Sequence, residues 1–523
     1  MEPESPNENH SPLDSERFLR VDHLTGDLRG RSLRGGAVTL ASQAAKFLLG
    51  LVSMAILARM LTPEDFGLIA MGTVIIGFTT VFKDMGLSMA TVQRPDVRHS
   101  QISTLFWLNF AISVAIAIIT AAAAPALAWF YKDPRVTAVT VALASTIVIG
   151  GLTIQHQALL RRQMRFGALA FVEIASLVVG TLAAIASALV GFGYWSLVVL
   201  TVVREIAGAF AVWITCPWRP GRPVRSAGVR SLVSYGAHLS GFNILAYASR
   251  NVEKMLIGWY WGAGALGLYN NAYRILLLPI QQINTPLTNV AVPALSRIQT
   301  QPDRYRAYYR RGLLLTVTAG MPIVAFLFVA ADKAVLAFLG PQWLDAVAIF
   351  RALGPAAFVG TFNVGTGWVF VSLGSTDRLL RWGWISSVIT VLAYFIGLPW
   401  GTIGVALSLS VSLVVLRLPA TLYCIRGTHL RLEDTMAPLW RPTVSSIAAG
   451  ALLFGVNKIF KPGVPLGLSL TFDFLFYLAF YALVWLGLPG GRRSISEIVA
   501  IVRELRLSRP RPEEATIVDT DIS

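Results

Sequence analysis

The sequence predicts an all-α polytopic membrane protein with about 14 transmembrane helices. Three observations predict it. The 523 residues are 55% hydrophobic and only 14% charged, where a soluble domain carries about 25% charged residues. Mean hydropathy is +0.62, and the apolar residues gather into runs of roughly 20, the length a helix needs to cross a bilayer. Arginines concentrate in alternate loops between those runs, as in the cytoplasmic loops of polytopic proteins. A transmembrane barrel would instead alternate apolar and polar residues with period two.

Residues 1–34 open with MEPESPNENHSPLDSERF, which is polar, acidic and Pro-containing. No apolar core follows a short basic stretch, so the segment reads as a disordered cytoplasmic tail and not as a signal peptide. Residues 35–216 hold six spans, at 36–58, 66–92, 103–130, 136–158, 167–189 and 194–216. The stretch RPGRPVRSAGVR lies in 217–231, and its Pro, Gly and Arg content marks a cytoplasmic linker. Six further spans fill 232–425, at 232–258, 266–294, 312–339, 345–373, 380–398 and 402–425. Two more, at 438–458 and 467–488, occupy 426–489, and 490–523 form a cytoplasmic tail.

The loops test this layout. With the N-terminus inside, the cytoplasmic segments collect Arg17 to Arg34, Arg94, Arg98, Arg161, Arg162, Arg165 and the linker arginines Arg219, Arg222, Arg225 and Arg230. They also collect Arg297 to Arg311, Arg378, Arg381, Arg426, Arg431, Arg441 and the arginines of the C-terminal tail. Only Arg59, Lys132, Arg135, Lys333, Lys458 and Lys461 fall outside. Such a bias fits an even number of spans with both ends in the cytoplasm. It also accounts for the net charge of +16 without a nucleic-acid partner. Cys216 and Cys424 give neither a disulfide framework nor metal spacing, and His156 and His238 stand alone as structural side chains. Neither a phosphate-binding G-x-x-x-x-G-K-[ST] loop nor an H-E-x-x-H zinc motif occurs, so no cofactor or metal is expected and an enzyme is not.

An internal repeat relates the halves. ILARMLTPEDFGLIAMG (56–72) aligns with LIGWYWGAGALGLYNNA (256–272) without a gap: Gly67 falls on Gly267, Leu68 on Leu268 and Phe66 on Leu266. Each block joins the first and second span of its six-span lobe. Because six is even, the two lobes run parallel, related by an axis along the membrane normal.

The spans carry charges that lipid does not tolerate. Lys46, Lys83, Arg204, Arg250, Lys254, Arg274, Arg351 and Arg417 all fall inside them, at about 2.5–3.5 kcal/mol each near the membrane centre. Side chains near span ends, Lys83 and Arg417 among them, have the alternative of snorkelling to the interface. Asn243, Tyr247, Arg250 and Lys254 share one face of the seventh span. Asn270, Arg274, Gln281, Thr285 and Thr288 do so on the eighth, and Thr39, Gln43, Lys46 and Ser53 more faintly on the first. Such faces look into a bundle interior or a hydrated cavity. Arg250, Lys254, Arg274 and Lys46 then line a central chamber with excess positive charge, with Glu253 as a partial counterweight. Its natural ligand is an anion such as a diphosphate, whose oxygens suit the planar fork of Arg and the point charge of Lys. Equally, Arg250, Glu253 and Lys254 neutralise one another and pin helices. The carboxylates Asp84, Glu173, Glu205 and Glu253 are candidates for a coupling proton or cation, as is Asp473.

The block ARMLTPEDFGLIAMGTVIIGFTTVFKDMGLSMATVQRPDVRHSQISTLFWLN (58–109) resembles the Wzx-like polysaccharide exporters, closest to the branch serving exopolysaccharides of the colanic-acid type. EKMLIGWYWGAGALGLYNNAYRILLLPIQQI (253–283) resembles the matching block of their second lobe. These exporters belong to the multidrug/oligosaccharidyl-lipid/polysaccharide (MOP) superfamily. The resemblance implies two pseudo-symmetric six-helix lobes forming a V-shaped bundle, plus two C-terminal helices. It implies a flippase that moves undecaprenyl-diphosphate-linked oligosaccharide repeat units from the cytoplasmic to the periplasmic leaflet of the bacterial inner membrane, for exopolysaccharide or O-antigen synthesis. Alternating access driven by an ion gradient or the membrane potential is implied too. The substrate-binding cations are then Arg250, Lys254, Arg274 and Lys46. Sugar contacts fall on polar-face residues, Asn270, Gln281 and Tyr247 with Asn243, Thr285 and Gln43, and the last two spans form a groove for the polyprenyl tail. Expected partners are the lipid-linked oligosaccharide, membrane lipids and the polysaccharide polymerase/export complex. A lipid II flippase or small-molecule antiporter of the same superfamily remains open. A membrane-embedded glycan polymerase or ligase is a further alternative, although no large external loop is present to house one.

The topology is tested by cysteine labelling. A thiol at position 191 reacts with an impermeant maleimide from outside and one at position 222 does not; the reverse pattern overturns the layout.

Overall fold

A computed structural model describes residues 28–84, 88, 91–92, 97–224, 251–459 and 464–507. These residues are helical, with no strand among them. The first helices are α1 (Leu28–Met60), α2 (Pro63–Asp84), α3 (His99–Tyr131), α4 (Arg135–Gly151), α5 (Ile154–Arg162), α6 (Phe166–Leu189) and α7 (Trp195–Thr215). After the linker come α8 (Val252–Arg297), α9 (Pro302–Val329), α10 (Ala331–Phe338), α11 (Ala346–Ser372), α12 (Thr376–Gly397) and α13 (Gly401–Ile425). The last are α14 (Leu432–Ile459), α15 (Leu466–Gly487) and α16 (Gly491–Leu507). By length and composition, nine helices among the described residues can cross a membrane, or ten if the bent pair α4–α5 is one span. One of the nine, Thr376–Ile425, contains both α12 and α13. The chain is a multi-pass membrane protein.

Local chemistry explains the breaks. Between α1 and α2 the sequence Thr-Pro-Glu-Asp forms a capping box: the Asp65 carboxylate accepts from Thr62 N at 2.8 Å, and Asp65 N donates to the Thr62 hydroxyl at 3.3 Å. Pro63 supplies the first helical residue, where a missing N–H costs nothing. In α8 the helix is interrupted at Gly262 (φ 81, ψ −175), a conformation that excludes side chains other than hydrogen.

Several expected boundaries shift. The span at 136–158 is two helices meeting at a 40° bend after the pair Gly150–Gly151. The span at 312–339 ends at Val329, and α10 follows as a separate short helix. Helix α1 begins at Leu28, inside the segment expected to be a disordered tail. The helix runs unbroken through the Gly35–Gly36 pair that follows LRGRSLR, with no proline to end it, so it starts before the apolar run. A helix, α16, opens the C-terminal tail segment.

The chain packs as two compact units. Unit one comprises Met1–Ala272, Val335–Ile349 and Val391–Ser408; unit two comprises Tyr273–Ala334, Phe350–Thr390 and Leu409–Ser523. In unit one, α3 packs on α4, α6 on α7 and α1 on α6. Its core joins Ile102, Phe106, Leu159, Val172, Val212 and Trp218, with the His156 ring stacked 4.6 Å from that of Trp213. Where α2 and α4 begin, Arg135 bridges Glu64 at 2.5 Å and Asp133 at 2.8 Å. The hydrogen bond from Arg135 holds the Asp133 carboxyl below its usual range.

In unit two, Tyr305, Tyr309, Leu313, Val317 and Met321 are all buried. They recur every fourth residue, so one stripe of α9 faces the core. Tyr309 hydrogen-bonds Thr435 at 3.3 Å and Tyr305 hydrogen-bonds Ser372 at 2.7 Å, which satisfies both phenols in an apolar setting. At the start of α14, the fully buried Asp434 side chain accepts from Arg306 at 2.9 Å and forms an ion pair with Arg310 at 3.0 Å. Breaking a buried pair leaves the partner charges uncompensated. Asp434→Ala is therefore expected to lower stability by roughly 2–3 kcal/mol, read as a lower unfolding midpoint of the detergent-solubilised protein. An unchanged midpoint would show that the two arginines are satisfied by solvent.

Candidate functional site

The site residues expected from sequence whose side chains the structure describes fall on α1, α6, α7 and α8. Asn243, Tyr247 and Arg250 lie outside the described residues, as does the side chain of Asp84 at the end of α2.

In unit one, the α1 stripe divides. Gln43 is exposed. Lys46 forms an ion pair with Glu173 of α6, and Thr181 of α6 donates to Ser53 of α1 at 3.1 Å about two turns further on. The Lys46 and Glu173 side chains are 22% and 45% exposed, so the pair borders solvent-accessible space. A chamber cation and a coupling-ion carboxylate, assigned separate roles from sequence, thus meet in one contact. On α7, Glu205 is half-buried and makes no ion pair with its neighbour Arg204 among the described residues. Adjacent residues do not share a helix face. On α8, Glu253 is buried at 2% exposure with its Oε2 lacking a hydrogen-bond partner among the described residues. Lys254 and Asn270 are half-buried.

Unit two holds the rest of α8. Arg274, Gln281 and Thr285 are all exposed, and so are Gln282 and Asn289. At about 100° per residue these five occupy a single arc roughly 100° wide. A strongly polar arc on a membrane helix faces water, not hydrocarbon. Sequence reading missed a feature that reinforces it. Pro279, Pro286 and Pro293 recur every seventh residue. Each removes an N–H, which frees the carbonyls of Ile275, Gln282 and Asn289 along the edge of the same arc. Free carbonyls at membrane depth are tolerated only against protein or water. The seven-residue proline spacing was the available signal.

Other span charges have partners in unit two. Arg417 is 8% exposed and does not snorkel: it donates to Asn363, donates to Thr421 at 3.1 Å and lies over the Phe362 ring. Arg351 pairs with Asp332. Asp473 pairs with Lys333 and accepts from Asn457 at 3.2 Å. No group of three or more metal-ligating side chains occurs among the described residues.

The helical arrangement is shared with membrane exporters. The lipid II flippase MurJ, in an inward closed conformation, matches with a TM-score of 0.68 over 91% of this chain and 100% of its own, at 13% identity. An inward-facing multidrug resistance MATE family transporter of the MOP superfamily matches at 0.52, over 73% of this chain and 95% of its own, also at 13% identity. At that identity the likeness shows the fold alone. The sequence goes further. Residues 56–348 match the family described as "polysaccharide biosynthesis protein", and the chain belongs to that family. The teichuronic acid biosynthesis protein TuaB of Bacillus subtilis is 26% identical over 81% of this chain and 89% of its own length. The lipopolysaccharide biosynthesis protein WzxC of Escherichia coli is 22% identical over 83% and 89%. The succinoglycan biosynthesis transport protein ExoT of Rhizobium meliloti is 25% identical over 58% and 62%. These relatives bear out the resemblance carried by residues 58–109 and 253–283.

The Lys46–Glu173 contact yields a test. Lys46→Glu and Glu173→Lys each reduce the amount of inserted protein, and the double swap restores it. The cycle is expected to show a coupling of about 1 kcal/mol in unfolding measurements; additive effects would mean that the two groups ignore each other.

Proposed function

We propose that this protein is a flippase for lipid-diphosphate-linked oligosaccharide units, moving them from the cytoplasmic to the periplasmic leaflet of the bacterial inner membrane. The observation that carries the proposal is the exposed arc of α8. A helix of a polysaccharide biosynthesis family member carries Arg274, Gln281 and Thr285 on one exposed polar arc. Arg274 grips phosphate oxygens and the amides and hydroxyls along the arc meet sugar hydroxyls. Lys254 and Arg250 add positive charge from the start of α8 and the segment before it, and Lys46 does so subject to its pairing with Glu173. The relatives' names point to lipid-carried polysaccharide building blocks as the substrate class. The glycan polymerase and export complex is the natural receiver of the product. Both chain ends lie in the cytoplasm, on the arginine bias of the loops. Binding and reorientation require no bond to be made or broken, so no catalytic residue is invoked.

Arg274→Ala and Arg250→Ala are each expected to lower polysaccharide export at least tenfold while the protein remains inserted, and Arg250→Lys to retain part of it. Depletion of the protein causes a diphosphate-linked glycolipid to build up on the cytoplasmic leaflet. Full export by the double alanine variant would remove the anion-binding reading.

A further inference from the structure

The ungapped repeat has a physical counterpart. Gly67 stands on the first turns of α2, and Gly267 stands at the matching place after the Gly262 break in α8. A Cβ added to Gly67 would overlap the backbone carbonyl oxygen of Ala263, and one added to Gly267 would overlap that of Pro63. It would also lie 3.1 Å from the backbone nitrogen of Gly67. Residue 67 meets 263, and residue 267 meets 63. The contact is its own image under the repeat, as an isologous two-fold interface requires. Pro63-x-x-x-Gly67 and Ala263-x-x-x-Gly267 thus cross backbone to backbone, the close approach that small residues four apart allow in membranes.

Around this crossing, segments from the second half of the chain grip the end of α1 and its neighbours. The last carbonyls of a helix have no intrahelical donors. Those of Ala58 and Leu61 accept from Gln342, with Leu61 at 2.8 Å, and Ala58 also accepts from the Trp343 indole at 2.8 Å. Arg59 donates to the carbonyl of Ala337 at 2.6 Å, and Phe66 packs edge-on against Trp343 with centroids 5.3 Å apart. Trp261 donates to the carbonyl of Leu398 at 2.8 Å. One turn inward from the glycines lie Met71 at 0% and Asn271 at 1% exposure, again a repeat-related pair. The Asn271 amide has no hydrogen-bond partner among the described residues. A buried amide left unsatisfied favours any state that admits water or ligand to it.

From this we infer that the Gly67–Gly267 crossing, latched by Gln342 and Trp343, is a clasp that closes the extracytoplasmic end of the transport route and must part for substrate to leave. The inference rests on the flippase reading above. The side follows from the arginine bias, which places the Pro63 and Ala263 helix ends outside. The glycines permit closure, because any side chain there meets backbone and cannot rotate away. Gln342 and Trp343 hold the closed state through carbonyls at a helix end, so release strands no strand or core. Asn271 sits directly behind the closure and becomes available to water or sugar hydroxyls when it parts.

The test uses the full chain in native membranes, with Cys216 and Cys424 replaced by serine and Met71→Cys as reporter. An impermeant maleimide is applied from outside. Gly67→Ala, Gly267→Ala and the paired change Gln342→Ala with Trp343→Phe are each expected to raise the labelling rate at least tenfold. Gly264→Ala, where an added Cβ meets nothing, should leave it unchanged. Parental labelling rates in the glycine and latch variants overturn the clasp. Independently, Arg59→Cys with Ala337→Cys is bridged by a short bifunctional methanethiosulfonate; the Arg59 guanidinium reaches the Ala337 carbonyl. The bridged protein should stop exporting and recover on reduction. Normal export by the bridged protein overturns the clasp and leaves the flippase reading intact. Absence of export from the parent protein under any condition would count against the flippase reading itself, while the labelling arm still decides the clasp.

Discussion

A charge within a bilayer has to be met by an opposite charge, by hydrogen bonds or by water, and this demand sorts the basic side chains of the spans. Lys46 takes Glu173, Arg351 takes Asp332, and Asp473 receives Lys333. Arg417 has amide, hydroxyl and aromatic partners in a buried site. Those four contacts tie helices together. Arg274 is exposed, and it shares an arc with Gln281, Gln282, Thr285 and Asn289. Basic side chains of one type thus sit in quite different environments, buried and hydrogen-bonded at Arg417 and exposed on a polar arc at Arg274. Mutating Arg417 is expected to damage folding, and mutating Arg274 to damage transport.

Much of the architecture was legible because the bilayer imposes it. Span length, loop arginines and the absence of period-two patterning fix an all-helical, multi-pass chain from composition and spacing alone. Boundaries such as 345–373 and 467–488 differ from α11 and α15 by a residue. The misreadings have local causes. The bend after Gly151 depends on Ser113 of α3 approaching so closely that a side chain at 151 would collide with it, a contact invisible in linear sequence. Helix α9 ends at Val329, and the short helix that follows carries Lys333 to Asp473, more than a hundred residues later. Apolar composition runs through both points, so hydropathy registers neither.

The site was legible in part. Helical spacing placed Arg274, Gln281 and Thr285 on one face, and the structure exposes all three. The α1 stripe misled because spacing cannot tell which neighbour a face meets: Lys46 and Ser53 turn toward α6 while Gln43 is exposed. The three prolines of α8 were plain in the sequence, and their seven-residue spacing went unused because prolines are read first as breaks. Along the exposed polar arc of α8 they add a second source of polarity, through carbonyls instead of side chains.

One helix joins these themes. The part of α8 after Gly262 begins in unit one and continues past Ala272 into unit two. Its first turns carry Gly267, whose backbone abuts that of Pro63, and seven residues further on it presents Arg274. Seven residues of helix span about 10 Å and almost two whole turns, so both features lie on nearly the same side of a short rigid segment. Pro279 comes next and loosens the helix one turn beyond Arg274. No proline or break lies between Gly267 and Arg274, so the glycine contact and the Arg274 side chain stand on one stiff run of helix, and the first compliant point, Pro279, comes only after both.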